Sequence, residues 1–393
     1  MTPLPISAYT LTTALGVGRE PTLEALRAER SGLAAARFLD VELPTWIGEV
    51  AGLATTPLPA ALADFDCRNN RLAWLGLQQD GFADAVRAAR VRWGAQRIAV
   101  LLGTSTAGLL ETELGYRRRE PDGALPDDVR YRDRQNTYSV GAFVTRAFDL
   151  RGPSWVVSTA CSSSAKVFAS AARLIAAGLV DAAIVGGVDS LCLTTLYGFN
   201  SLELLSPEVC RPWDAQRRGL SIGEGAAFAL LERDTTAPQG WLLGVGESND
   251  GFHMSTPHPE GAGAIAAMRA ALADATLGPG DIGYINLHGT ATPSNDAAED
   301  RAVGSVFGQQ TPCSSTKGAT GHTLGAAGGV EAAICLLALR DGLLPAGLHV
   351  QQPDPALGLK YLHHNQHAPL RAVLSNSFGF GGTNASLILG RAG

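Results

Sequence analysis

Residues 155–178 read WVVSTACSSSAKVFASAARLIAAG, and the reading of this stretch decides the fold. WVVST is a β-like run. From Ser164 onward apolar residues recur at helical spacing, and Gly178 supplies the stop. Cys161 falls at the seam between strand and helix. Free backbone N–H groups gather at a helix start, and the helix dipole adds partial positive charge there. A thiol in that position is expected to ionise below the free-cysteine pKa of about 8.5. The same N–H groups can hold an oxyanion. Ser162, Ser163 and Ser164 taken alone would read as helix caps.

The same alternation continues on both sides. RIAVLLGT (97–104), DAAIVGGVDS (181–190) and GEGAAFALLER (223–233) read as strands. A second series follows: WLLGVGESND (241–250) as strand and loop, GAGAIAAMRAALADA (261–275) as helix, IGYINLHGT (282–290) as strand and loop. GGVEAAICLLALRDG (328–342) reads as a buried apolar helix, and RAVLSNSFGFGGTNASLIL (371–389) as two strands around a glycine-rich turn. Strands alternating with helices predict a layered α/β fold. TTAPQG (235–240) is the best boundary, giving an N-terminal half, 1–236, with Cys161 and a C-terminal half, 237–393. The opening PLPISAYTLTTALG (3–16) predicts only a short first strand, and the Arg-rich stretch 116–134 a long surface excursion.

Composition narrows the function. Of 393 residues, 46% are hydrophobic and 17% charged, which suits a sizeable core. A net charge of -6 gives no support to nucleic-acid binding. No apolar run approaches the roughly 20 residues of a membrane span. MTPLPISAYT lacks a basic segment followed by an apolar one, so no cleaved secretory signal is expected. The six cysteines form no CxxC pair, which argues against zinc and against a disulfide scaffold and fits a reducing cytoplasm.

A thiol that exchanges acyl groups needs donors for oxyanions and for proton traffic. Two loops carry them. NLHGTATPSNDAAE (286–299) holds His288 at a predicted strand end, where α/β sites usually lie. STKGATGHTLGAAGG (315–329) holds Lys317 and His322, with glycines on both sides of the imidazole. Glu331 is a charged residue in the apolar helix that follows, and Lys317 is its candidate partner. His253, His258, His349, His363, His364 and His367 read as loop or surface residues. The thiol and two imidazoles lack the ligand spacing of a metal site.

Five motifs in this order resemble one family: STACSSSA, GEGAAFALLE, LHGTATPSNDAAE, STKGATGHTLGAAGGVEA and SNSFGFGGTNASL. Together they resemble the elongating β-ketoacyl-[acyl-carrier-protein] synthases, over nearly the whole chain. The resemblance implies a thiolase fold, with two similar βαβαβ-type halves in five α-β-α-β-α layers. It implies a decarboxylative condensation of an acyl group on Cys161 with a malonyl carrier protein, without a cofactor. His288 and His322 would stabilise the enolate, and Lys317 would support the second histidine loop. Glu299 and Glu331 match two acidic positions with structural or proton-relay roles. Phe380 resembles a gating phenylalanine in the turn with Gly381, and the amides of Cys161 and Phe380 would form the oxyanion hole. Thr106 falls at the acyl-pocket floor, where a polar residue suits a specialised polyene or polyketide chain as well as a fatty acid. The implied partners are an acidic acyl carrier protein and a second subunit, identical or related. Arg68 and Arg71 resemble the pair that receives the carrier, and Arg117, Arg118, Arg119, Arg130, Arg132 and Arg134 would extend that patch.

Three competing readings are weaker. A thiolase would be expected to carry a second cysteine near the C-terminus, and SNSFGFGGTN has none. A non-catalytic partner subunit would lack the thiol. A nucleotide-binding oxidoreductase needs GxGxxG directly after a strand and an acid about 20 residues on, which GATGHTLGAAGG does not provide.

Overall fold

The computed structural model describes residues 1–392. Ten strands build the main sheets. The first five are β1 (Leu4–Thr13), β2 (Ile98–Gly103), β3 (Ser154–Val157), β4 (Ala182–Asp189) and β5 (Gly225–Glu232). The second five are β6 (Gly240–Asn249), β7 (Ile282–Asn286), β8 (Cys313–Ser314), β9 (Ala372–Gly379) and β10 (Thr383–Gly390). In space the order is β8-β7-β9-β10-β6-β1-β5-β4-β2-β3. β1 and β6 join through only three residue pairs, Leu4–Ile6 against Gly240–Leu242. On either side of that seam the two five-stranded sheets have one plan. The edge strand and its two neighbours run parallel, and the next two turn antiparallel. Two halves of related plan were expected, and the architecture is the thiolase fold.

The helices that matter here are α1 (Arg68–Leu77), α2 (Leu109–Arg117), α3 (Ser139–Ala147), α4 (Ser163–Ala176), α5 (Leu193–Ser201), α6 (Ala262–Ala275), α7 (Pro293–Phe307) and α8 (Ala327–Asp341). Side chains alternate faces along a strand, so a strand buried on both sides reads as a continuous apolar run. β4 shows this. Ala183 and Val185 face a central core with α4 and α8, while Ala182, Ile184 and Val188 face an outer core under α1 and α3. The second sheet repeats the arrangement, with Leu374 and Ile388 turned to an outer core under α6 and α7. Helix, sheet, two central helices, sheet, helix gives five layers. The central helices approach closely at Gly328, where a Cβ would meet Ala165 backbone nitrogen at 2.7 Å.

One expectation is corrected. β1 is a full ten-residue strand, not a short one. Its threonines mask it in a hydrophobicity reading, yet they are strong strand formers. Thr10 and Thr12 are buried, and Thr10 Oγ1 donates to Asp80 at 2.8 Å.

Candidate active site

The thiol sits on a braced turn. β3 ends at Val157 and α4 begins at Ser163, so Cys161 lies two residues ahead of the helix. Ala160 takes a left-handed φ of 51°. The turn is held by its serines. Ser163 Oγ accepts the Thr159 N–H at 2.9 Å and donates to the Ala160 carbonyl at 2.6 Å. Ser164 Oγ accepts the Gly329 N–H from α8 at 2.8 Å. These serines therefore fix the seam and the central helix pair, beyond mere capping.

His322 reaches Cys161 from the other half. Its backbone joins the 221–223 segment, with His322 N–H donating to Ser221 O at 2.8 Å and Gly223 N–H to His322 O at 3.0 Å. Its Nε2 lies 2.9 Å from Cys161 Sγ. Its Nδ1 accepts the Leu324 N–H at 3.2 Å. A neutral imidazole whose Nδ1 accepts carries its proton on Nε2, so that proton points at the sulfur.

His288 stands beside it, ring centroids 5.4 Å apart and nearly perpendicular. The His288 and Gly289 N–H groups donate to the two oxygens of Glu299 on α7, each at 2.8 Å. Asn376 adds an amide N–H to the same carboxylate at 3.2 Å. Glu299 thus holds the loop rather than facing the sulfur. Lys317, buried to 1% exposure, donates to the His288 carbonyl, pairs with Glu331 and lies 3.5 Å from His288 Nδ1. The Lys317–Glu331 pairing expected from the sequence is present. Burial first, and the Lys317 charge second, hold both imidazoles well below the ordinary histidine pKa. Both rings are therefore neutral, with donor N–H groups for a developing oxyanion.

The thiol departs from expectation. Burial pushes Cys161 up to about 12, against Lys317 and the Phe380 backbone N–H, which pull it down. A helix start was read as lowering this pKa. Desolvation under two packed halves outweighs it, and the resting site holds a neutral thiol.

Cys161, His288 and His322 place one donor atom each within 4.8 Å of one another. The surroundings oppose a metal. A ligating histidine normally donates its second ring N–H outward, whereas His322 Nδ1 accepts and His288 Nδ1 faces an ammonium.

The cleft above is lined by the apolar side chains of Phe199, Leu204, Leu220, Phe378 and Phe380, and Asp250 also lines it. Phe380 stacks on Phe199 of α5, centroids 5.6 Å apart. Gly381 follows at φ 79°, a conformation that favours glycine. Its N–H donates to Met254 O at 2.7 Å. Sequence reading missed Phe199, which carries no motif. It also missed Asp189, a lone acid ending an apolar strand.

Other expectations fare differently. The structure does not bring Thr106 into the cleft. Its hydroxyl donates to buried Asp189 at 2.7 Å. Arg68 is corrected as a carrier-facing residue. Its side chain is 10% exposed and turned inward onto Glu224 at 2.7 Å, with Glu49 at 3.0 Å. A buried carboxylate needs that cation. Arg71 is clamped by Asp66 with two bonds. Arg117, Arg118 and Arg130 pair at 2.8 Å with Asp40, Asp128 and Asp64. Arg119 and Arg134 donate to backbone carbonyls. Arg132 is exposed. The expected basic patch is largely neutralised.

A thiolase fold with a seated cysteine and two neutral imidazoles defines an acyl-transferring enzyme. The chain belongs to the beta-ketoacyl synthase family: residues 70–237 match its N-terminal domain and residues 240–351 its C-terminal domain. It is 35% identical to 3-oxoacyl-[acyl-carrier-protein] synthase 2 of Vibrio cholerae, over 76% of each chain. It is 36% identical to nodulation protein E of Rhizobium meliloti, over 75% of each. The solved ketosynthase ApeO from Xenorhabdus doucetiae, in complex with its chain length factor ApeC, superimposes with a TM-score of 0.92 at 42% identity, covering 99% of this chain and 98% of that one. No helix among the described residues is long and apolar enough to cross a membrane.

Proposed function

We propose that the chain condenses an acyl group carried on Cys161 with malonyl acyl carrier protein, giving β-ketoacyl carrier protein, CO2 and free carrier. The observation that carries this is the convergence of Cys161 Sγ, an Nε2–H from His322 and a neutral His288 at the base of one apolar cleft. In the first step the sulfur attacks the acyl thioester, the carrier thiolate leaves and takes the thiol proton. In the second, the malonyl C–C bond breaks, CO2 departs, and the electron pair forms an enolate whose oxygen is held by the two Nε2–H groups. The enolate carbon attacks the Cys161 thioester. The tetrahedral oxyanion rests on the Cys161 and Phe380 amides, Cys161 thiolate is expelled, and one proton taken up from water restores the resting thiol. Atoms and electrons balance without a metal or redox cofactor.

In this reading Lys317 keeps His288 neutral and donor-ready, Glu331 balances Lys317, Glu299 holds the His288 loop, and Phe380 with Gly381 gates the cleft. Residues 1–236 are the half that supplies the thiol, and 237–393 the half that supplies both imidazoles and the lysine. We take the reaction to run in the cytoplasm, as the resemblance to fatty-acid condensing enzymes suggests.

A panel of acyl carrier proteins tests it. Mass spectrometry should find the acyl group on Cys161 and its extension by malonyl carrier protein. No acylation from any donor would refute the assignment.

A second reading is favoured by one observation, the 42% identity to ApeO over 99% of this chain, since ApeO is a ketosynthase solved in complex with its chain length factor. Here the chain is the catalytic subunit of such a heterodimer in a specialised polyene or polyketide pathway. The alternative is a homodimer. Condensation that appears only when a related, cysteine-lacking subunit is co-purified would select the heterodimer.

A further inference from the structure

Asp189 is the last residue of β4 and is fully buried. Five neutral donors converge on its carboxylate. Oδ1 accepts the Thr104 hydroxyl at 2.7 Å, the Ser105 and Thr106 N–H groups at 2.8 Å each, and the Thr106 hydroxyl at 2.7 Å. Oδ2 faces away from these and accepts the Gly325 N–H at 2.5 Å. The first arm belongs to the N-terminal half and the second to the His322 loop.

Both arms are turns that need holding. Ala107 takes φ 44° and Leu324 φ 53°, left-handed conformations that cost a non-glycine residue about 1–3 kcal/mol and persist only where the surroundings over-determine them. Leu324 is the residue whose N–H fixes the His322 tautomer. Gly325, next along, has no room for a side chain, since a Cβ would meet Asp189 Oδ2 at 2.7 Å and Ser105 Oγ at 2.8 Å. The carboxylate therefore pins the turn one residue from the N–H that decides which imidazole nitrogen carries the proton. A carboxylate, with separate acceptor oxygens for two loops, suits this task; a carboxamide offers only one.

We propose that Asp189 is a positioning residue for His322, tying the 323–325 turn to the 104–107 loop so that Nε2–H stays aimed at the Cys161 sulfur. This rests on the condensing role assigned to His322. Asp189 touches neither substrate nor sulfur and acts only through the turn.

Asp189→Asn in the full chain tests it. The four donors on Oδ1 keep the carboxamide oxygen there, so the NH2 group faces the Gly325 N–H and only the second arm is cut. Condensation kcat should fall by about 10- to 100-fold, the scale of a misplaced catalytic group. KM for both carrier-protein substrates should stay within about twofold, because binding is untouched. Nitrogen-15 spectra of the histidine rings, with His322 assigned by its loss in His322→Asn, should show one Nε2–H tautomer in the parent and a mixture in Asp189→Asn. Unchanged kinetics would overturn the proposal. So would a fall in kcat with the tautomer unaltered, which marks a merely structural role. If Asp189→Asn does not fold, Thr106→Val removes one donor and leaves the backbone donors. It should move the tautomer signal the same way by less, and a rise in KM alone would overturn the proposal. If the parent condenses nothing, the proposed function fails while the tautomer measurement still decides the role of Asp189.

Discussion

Cys161 Sγ and His322 Nε2 lie 2.9 Å apart although 161 positions separate them in the chain, and each residue stands in a loop between regular elements. The imidazole reaches the sulfur with its proton already on the near nitrogen, because the far nitrogen is engaged by Leu324. Proton traffic at the thiol is thus arranged by a backbone turn, and substitutions can test each contributor.

The thiol should titrate late. Burial sets its pKa near 12 and the Lys317 cation is the largest force pulling it down. Iodoacetamide modification of Cys161, followed by peptide mass spectrometry, should still be accelerating at pH 9. Removing the cation raises the thiol pKa further, so Lys317→Met should slow modification at any fixed alkaline pH. A rate that levels off below pH 8 would show a thiolate already formed.

Lys317 and Glu331 should separate stability from chemistry. Lys317→Met leaves a carboxylate buried without its partner, a loss on the order of 3–5 kcal/mol. Replacing Glu331 with leucine in the same chain should restore most of that stability in denaturant unfolding. Condensation should stay low in the double variant, since His288 has lost the ammonium 3.5 Å from its Nδ1. Recovery of activity along with stability would make the lysine purely structural.

Glu299 should leave a mark on stability against pH. Burial pushes its carboxyl up to about 7, against three hydrogen bonds that lower it. A carboxyl with a raised folded-state pKa binds its proton more tightly in the folded chain. Its contribution favours folding at low pH and is lost as pH rises from the ordinary 4.5 through about 7. In Glu299→Gln the fall in stability across that window should be shallower. An identical slope would mean that the group is ionised throughout.

Phe199→Ala removes the ring on which Phe380 stacks, a contact of about 0.5–1.5 kcal/mol. The glycine-rich turn should then open more often. A bulky maleimide should reach Cys161 up to about tenfold faster by that energy. No acceleration would mean that the ring pair does not limit entry.

Arg68→Glu should unfold the chain rather than weaken carrier binding. It would set two acids against each other where Arg68 now meets the fully buried Glu224, whose oxygens also accept the Val50 and Leu191 N–H groups. The loss should exceed about 3 kcal/mol, as for any broken buried pair. A stable variant with a raised carrier KM would reinstate the surface role.

What was legible in the sequence follows from distance along the chain. Cys161, His288, Lys317 and His322 stand in short loops whose glycines and small residues are local signals. Glu331 was visible as an acid in the middle of an apolar run, and its need for a partner pointed to Lys317, only 14 positions away. Arg68 was misread because a helix start looks the same from inside or out, and Glu224 lies 156 positions on. The thiol pKa was misjudged for a related reason: the helix dipole is local, whereas desolvation comes from chains that meet only in three dimensions. Asp189 works through loops 83 to 136 positions distant and leaves no local trace beyond being an acid at a strand end.

The seam between β1 and β6 has a consequence for synthesis on the ribosome. β1 pairs with β5, so the first sheet has every strand once Glu232 has emerged. At that moment Cys161 can be seated while neither His288 nor His322 has been made. Domains generally fold in order as they emerge, so a half-made chain carries the thiol with none of the groups that would let it condense. On the proposed reaction, condensation has to wait until the second sheet docks, and a product truncated at Glu232 is expected to condense nothing.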